Sequence, residues 1–414
     1  MVSPSAELPL SWSDLQAFAA VEPDPLTGPT NPRSRLRTFG QSEGAVRVTL
    51  FRDHHAWCPY CQKVWMWLEE RQVPYRVAKV TMFCYGEKED WYRRRVPSGM
   101  LPAIELDGRL VTESDLILEV LEATFGSLGP GMNDPLVLPL RRLERLLFRA
   151  WCQWLCQPHG PGAAERARRA FDDVAARMAE ALEATPGPFL LGDLSTADLV
   201  FVPYVERMSA SLAYYKGYLL RRSHAAIDRW FAALEQRPTY LGTQSDFHTH
   251  VHDLPPQMGG CHAEASSERR QLAERIDHGP WPIVDVGPDP ETSETPPADA
   301  TGRAIGRVLR HRGVLVRRYS RNGDGFDAAL RCALTHLALG VDCPPPPGSA
   351  AALRTLRDRI CVPRDMPLHT ARRLRQALEH IAGLDPADPA AQGLPIPVQH
   401  RRDQDPAPFL AAAG

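Results

Sequence analysis

An α/β domain followed by two all-helical regions is the architecture this sequence predicts, and three observations predict it. Short apolar runs alternate with helical patterns over residues 46–126, whereas beyond residue 135 the periodicity is helical only. A stretch containing Gly and Pro at 127–135 parts the two. Within the first region the order is strand, helix, strand, helix, hairpin, helix, which is that of a thioredoxin-like domain.

Residues 1–45 are rich in Pro and Ser and hold one amphipathic stretch (Trp12, Leu15, Phe18), so they read as an arm that docks on the folded body. Residues 46–51 (Val46, Val48, Leu50, Phe51) predict a strand, and 58–71, with Val64, Trp65, Trp67 and Leu68, a helix. A second strand is expected at 75–81 and a short helix at 87–95. Residues 102–106 and 109–112 bracket Asp107-Gly108, the dipeptide that favours a two-residue hairpin. Leu116, Ile117, Val120 and Leu121 then mark a helix at 114–125.

In the region 127–245, helices are expected at 136–155, 163–183, 195–218 and 225–236. Ser195 and Asp198 have the spacing of a capping box. Residues 246–300 are Pro-rich and polar and read as a linker. A helical extension follows at 301–385, with helices at 301–321, 326–339 and 369–381. The turn Asn322-Gly323-Asp324-Gly325 lacks the later ligands of a calcium loop and reads as a Gly stop followed by an Asp cap. Arg372, Arg373 and Arg375 are expected to form a solvated face, and 386–414 a disordered tail.

At 414 residues the chain exceeds one typical core, and 43% apolar content suffices for two or three. A net charge of −2 implies no bulk attraction to nucleic acid or anionic membrane. No run approaches the roughly 20 apolar residues of a membrane span, and residues 1–10 lack a basic segment with an apolar core behind it. The expectation is a cytoplasmic chain, with a plastid location also open. Nine cysteines without framework spacing suit a reducing compartment.

The chemistry centres on Trp57-Cys58-Pro59-Tyr60-Cys61. A helix N-terminus offers unpaired N–H groups and stabilises a charge by at most about 2 kcal/mol, which favours a thiolate at Cys58. Pro59 suits the first helical turn, where its missing donor is no loss. Cys61 lies one turn inside and reads as a resolving or spectator thiol. Tetrahedral zinc needs a second ligand pair, and the chain offers only Cys152 and Cys156 four apart and the adjacent Cys261-His262. His248, His250 and His252 would share one face of a strand, yet no other ligand has supporting spacing, so a polar flap is expected and no metal. His54 and His55, in the loop before Cys58, read either as exposed loop residues or as a source of positive charge near the thiol.

With these motifs in view, residues 46–245 resemble the soluble glutathione transferases, in particular the omega-like class whose active residue is a cysteine. The resemblance rests on Trp57-Cys58-Pro59-Tyr60-Cys61, Met100-Leu101-Pro102-Ala103, Glu113-Ser114 and Gly192-x-x-Ser195-x-x-Asp198. Cys-Pro-Tyr-Cys is also the motif of dithiol glutaredoxins. The resemblance implies a thioredoxin-like domain at 46–126 and an all-α transferase domain at 127–245, with glutathione as co-substrate. Cys58 and Cys61 would be catalytic, with Pro59, Tyr60, Lys88, Leu101, a cis Pro102, Glu113 and Ser114 around glutathione. Trp151, Trp154, Tyr204, Arg207, Met208 and Tyr215 would line the pocket for a small electrophile or disulfide, and a homodimer is implied. The expected activity is glutathione-dependent thiol transfer or reduction, including a dehydroascorbate-type reaction. The alternative is a non-catalytic glutathione-binding scaffold that holds a partner with its extension.

Overall fold

The computed structural model describes residues 7–320 and 325–392. They form two compact units. One comprises Pro23–Ala273 with Asp285–Glu294; the other comprises Met1–Glu22, Glu274–Val284 and Thr295–Gly414. The glycine-rich turn at 322–325 lies, apart from Gly325, outside the described residues, as does the tail from 393; residues 386–392, expected to begin a disordered tail, instead include the short helix Pro389–Gln392 and a buried Asp388.

The first unit is built on a five-stranded sheet of β1 (Leu36–Arg37), β2 (Val48–Asp53), β3 (Tyr75–Val80), β4 (Ala103–Leu106) and β5 (Arg109–Thr112) in the order β1-β3-β2-β4-β5. β2 and β3 are parallel and joined by the helix Pro59–Glu70, while β4 and β5 are antiparallel. This is the thioredoxin-like arrangement that the element order predicts. The β4–β5 turn sits where a primed hairpin requires left-handed residues, with φ of 50° at Asp107 and 81° at Gly108. β1 was not foreseen: it lies in the stretch read as an arm and pairs antiparallel with β3.

The helical half packs around Thr196–Lys216, which is buried on almost every face. Both Pro59–Glu70 and Phe247–Met258 pack against it. Its N-terminus keeps the expected Ser195–Asp198 contact, with Ser195 N and Oγ each 3.0 Å from Asp198 Oδ2. Asp198 Oδ1 also accepts from Leu190 N and Trp230 Nε1, each at 3.0 Å, so the cap doubles as a core junction. Residues 246–300 are not simply a linker: they contain the helices Phe247–Met258 and Ser267–His278.

The second unit is helical. Ala300–Tyr319, Gly325–Leu339, Ala350–Arg359 and Leu368–Gly383 enclose a core of aliphatic residues that includes Leu10 and Leu15. The N-terminal arm is thus divided, with residues 7–22 in this unit and 23–45 in the first. The Trp12 indole donates to Asp327 at 2.9 Å, and Ala20 N donates to Gly302 O at 3.0 Å. A Cβ at Gly302 would lie 3.0 Å from Ala20 N, so a bare backbone suits this approach. The helix Ala350–Arg359 was not foreseen, and Arg372 and Arg375 are buried rather than solvated. Among the described residues, no helix is long and apolar enough to cross a membrane.

Candidate functional site

Cys58 is the N-cap of Pro59–Glu70, and Pro59 occupies the first turn. The chain reaches it through Ala56, whose φ of 55° is left-handed, and Asp53 Oδ2 accepts the Trp57 N–H at 2.7 Å to fix the turn. Burial, followed by the neighbouring Cys58 thiol, pushes the Cys61 thiol well above its ordinary value. Cys61 therefore stays protonated at neutral pH.

Beside them opens a cavity of about 300 Å³ lined by Tyr60, Lys63, Met100, Leu101, Pro102, Glu113, Ser114, Asp115, Glu144, Arg145 and Tyr204. Of the expected glutathione contacts, the structure brings Tyr60, Leu101, Pro102, Glu113 and Ser114 together here. The Leu101–Pro102 peptide is cis. Glu113 precedes the helix Ser114–Phe125 with φ 67° and ψ 113°, a backbone conformation that costs a non-glycine residue on the order of 1–3 kcal/mol and collects at ligand sites. Cys58 itself is only 5% exposed and is not among the lining residues.

Lys88 is not on the lining either, but its electrostatic partners include Cys58 and Cys61. Its Nζ donates to Thr81 O at 3.1 Å, and burial lowers its pKa first, with the two thiols acting in the opposite direction. His54 is bonded instead to Glu89 at 3.3 Å, and His55 stacks on Tyr85 with centroids 3.9 Å apart.

The aromatic stripe divides. Tyr204 reaches the groove, where it meets Tyr60 edge-on at 5.8 Å with Arg145 over its other side at 4.9 Å. Trp151 and Trp154 are core, their indoles bonded to Ser211 at 2.9 Å and to Glu264 at 2.8 Å. Met208 is buried, and the Tyr215 hydroxyl donates to Val251 O at 2.7 Å. None of these four lines the groove.

Sequence reasoning missed the charged wall of the groove and put Arg207 on its lining, where the structure does not place it. Lys63 pairs with Asp115, and Arg145 with Glu144, so the groove wall carries both signs of charge. Arg207 stacks over Trp57 at 4.7 Å and donates to Trp57 O, to Gln62 Oε1 at 3.2 Å and to Pro203 O at 2.5 Å. His250 sits on a helix, not on the extended strand expected for it, and accepts from Trp57 Nε1 at 3.0 Å while meeting Glu206 at 3.0 Å. Burial lowers its pKa, so the ring is neutral with its proton on Nε2, toward Glu206. The signal was the Asp246 N-cap, which accepts from Thr249 N at 2.9 Å.

Fold and site together define a thioredoxin-like domain with a dithiol motif at a helix N-terminus and a charged groove beside it, continued by an all-helical half. Residues 57–124 match the family described as glutathione S-transferase, N-terminal domain. Among curated relatives, the chain is 26% identical over 189 residues to glutathione S-transferase DHAR2 of Arabidopsis thaliana, covering 45% of this chain and 84% of that protein. It is 23% identical over 245 residues to glutathione S-transferase L3 of Arabidopsis thaliana, covering 55% and 92%. Among solved structures it is similar to glutathione transferase Omega 3C from Trametes versicolor, at 26% identity and a TM-score of 0.42 over 48% of this chain and 84% of that one. Residues 57–124 thus match a glutathione S-transferase N-terminal domain, and the curated relatives extend that likeness over about half of the chain.

Proposed function

We propose that the chain is a glutathione-dependent thiol transferase or reductase in which Cys58 is the nucleophile. Its thiolate attacks the glutathionyl sulfur of a mixed disulfide, forming a Cys58–glutathione disulfide and releasing the substrate thiolate. A glutathione thiolate then attacks that bond, returning Cys58 as thiolate and leaving as glutathione disulfide. Dehydroascorbate-type reduction uses the same pair of sulfurs. A cysteine forms a disulfide with glutathione rather than activating its thiol, so reduction should exceed aryl-halide conjugation.

The observation that carries this reading is the groove, where Leu101, Pro102, Glu113 and Ser114 meet beside the Cys58 helix. Its volume is at the lower end for small-molecule sites. Glu113 would face the ammonium of the γ-glutamyl group, and Ser114 with the helix start its carboxylate. Lys88 would serve the glycyl carboxylate. In the reading, Tyr60 forms part of the wall, Pro59 starts the helix next to the sulfur, and Cys61 stays a spectator.

Thioltransferase assays on the full chain test it. Cys58→Ser should abolish activity and the glutathione adduct seen by mass spectrometry, and Cys61→Ser should keep much of both. Equal activity in the two variants would end the assignment. The absence of any adduct on wild type would show that the sulfur of Cys58, a residue only 5% exposed, is out of reach, and would leave a glutathione-binding scaffold as the alternative.

A further inference from the structure

The helical extension places three side chains of metal-ligand type around one point. His336 lies near the end of Gly325–Leu339, Asp342 in the loop after it, and His380 near the end of Leu368–Gly383. Asp342 Oδ1 is 2.9 Å from His336 Nδ1 and 2.7 Å from His380 Nε2. The two rings stack with centroids 4.2 Å apart and planes 24° from parallel. One donor atom from each residue lies within 4.8 Å of the others.

We propose that His336, Asp342 and His380 form a binding site for a zinc-class divalent cation. Two imidazoles and one carboxylate are the ligand set that three-coordinate protein sites offer such ions, and calcium or magnesium would ask for oxygens instead. Without a cation, one carboxylate oxygen takes an N–H from each of two stacked rings. A cation takes the place of those two protons. Tetrahedral coordination at about 2.0–2.1 Å spaces ligand atoms roughly 3.3 Å apart, so the two separations from Asp342 must open by about 0.5 Å and the stacked rings must turn until both nitrogen lone pairs meet at one point. Side chains that are 27%, 52% and 42% exposed have room for that.

A bare surface ion pair explains the cluster less well. Such pairs contribute about 0–1 kcal/mol, too little to hold two exposed rings against each other. The backbone is also fixed from beneath. Gly340 N donates to His336 O at 2.7 Å, and Cys343, next to Asp342, has its sulfur 3.2 Å from that of Cys332, one turn before His336. The bound ion would clip the end of one helix to the end of another.

The test is titration of the chelator-treated full chain with Co²⁺, followed by displacement with Zn²⁺. One equivalent should bind with a visible d–d spectrum free of the thiolate charge-transfer band, and Zn²⁺ should raise the thermal midpoint. His380→Ala should weaken that binding by at least about 10-fold and remove the thermal shift, while Cys332→Ser with Cys343→Ser should leave both intact. Asp342→Asn and His336→Gln provide the same reading should His380→Ala fail to fold. Absence of Co²⁺ binding, a purely thiolate spectrum, or variants that titrate like wild type would each overturn the proposal.

Discussion

Replacing Glu69 with Leu should destabilise the first unit by about 4 kcal/mol or more at pH 7. Glu69 lies in the last turn of the helix that carries Cys58, and its buried carboxylate collects four hydrogen bonds. Arg37 Nε and Nη2 donate at 2.9 Å each, Thr30 Oγ1 at 2.7 Å and the Tyr75 hydroxyl at 2.6 Å. Side chains of both Arg37 and Glu69 are 2% exposed. Removing one partner of a buried pair costs about 3–5 kcal/mol, because the other charge is left without compensation. Stranding the Tyr75 hydroxyl adds about 1 kcal/mol or more. The assay is urea unfolding of the full chain, fitted with separate transitions for its two units. Arg37→Met combined with Glu69→Leu should recover most of the loss, since an apolar pair of similar volume replaces a buried ion pair at little cost. A single variant within about 1 kcal/mol of wild type, or a double variant no better than the single, would refute the reasoning.

Two further outcomes follow from the perturbed groups. Burial lowers the pKa of His250, so the unfolded chain binds a proton that the folded chain does not. Stability contributed by this group is complete above about pH 6.5 and falls by at most about 1.4 kcal/mol per pH unit below it, until the folded pKa is reached. Urea unfolding at pH 7 and 5.5 measures this, and an equal slope in wild type and His250→Gln would contradict it. Hydrogen bonds from Cys152 and then Cys261, with His262 and Lys216 adding positive charge, pull the Cys156 thiol below its ordinary value. Iodoacetamide at pH 6 should therefore label Cys156 ahead of Cys152 and Cys261, as read by peptide mass spectrometry; prior labelling of either neighbour would contradict the assignment.

What the sequence made legible was local. Asp107-Gly108 specifies its hairpin with two residues, and Cys58-Pro59 announces a helix start because the cap and first-turn preferences are short-range. The Phe247–Met258 helix was hidden because Pro255 and Pro256 near its end, together with alternate histidines, imitate an extended linker. Its stability comes from packing against Thr196–Lys216, which no local pattern records. The same holds for the arginines of the extension. Arg375 donates to Ile360 O at 2.8 Å, and Arg354 pairs with both Glu379 and Asp388. A charge is read as solvated until its partner, 34 residues away for Arg354 and Asp388, is brought beside it.

That limit bears on the cysteine motif itself. Read alone, Trp57-Cys58-Pro59-Tyr60-Cys61 rests on a helix terminus, whose effect fades within a turn. In the folded chain the backbone just before Cys58 is held by groups from the helical half: Arg207 on Trp57 O, and His250 on the Trp57 indole, itself anchored by Glu206. Gln62, on the Cys58 helix, donates to Glu206 Oε2 at 2.9 Å and closes the circuit. Cys58 is also among the groups that offset the effect of burial on Arg207, placing a fixed guanidinium within electrostatic reach of the sulfur. A thioredoxin-like domain without the helical half would keep the motif and its helix but lose this charge and clamp. In the proposed chemistry, the setting of Cys58 is therefore a property of the whole first unit, carried by residues that lie about 150–190 positions beyond it.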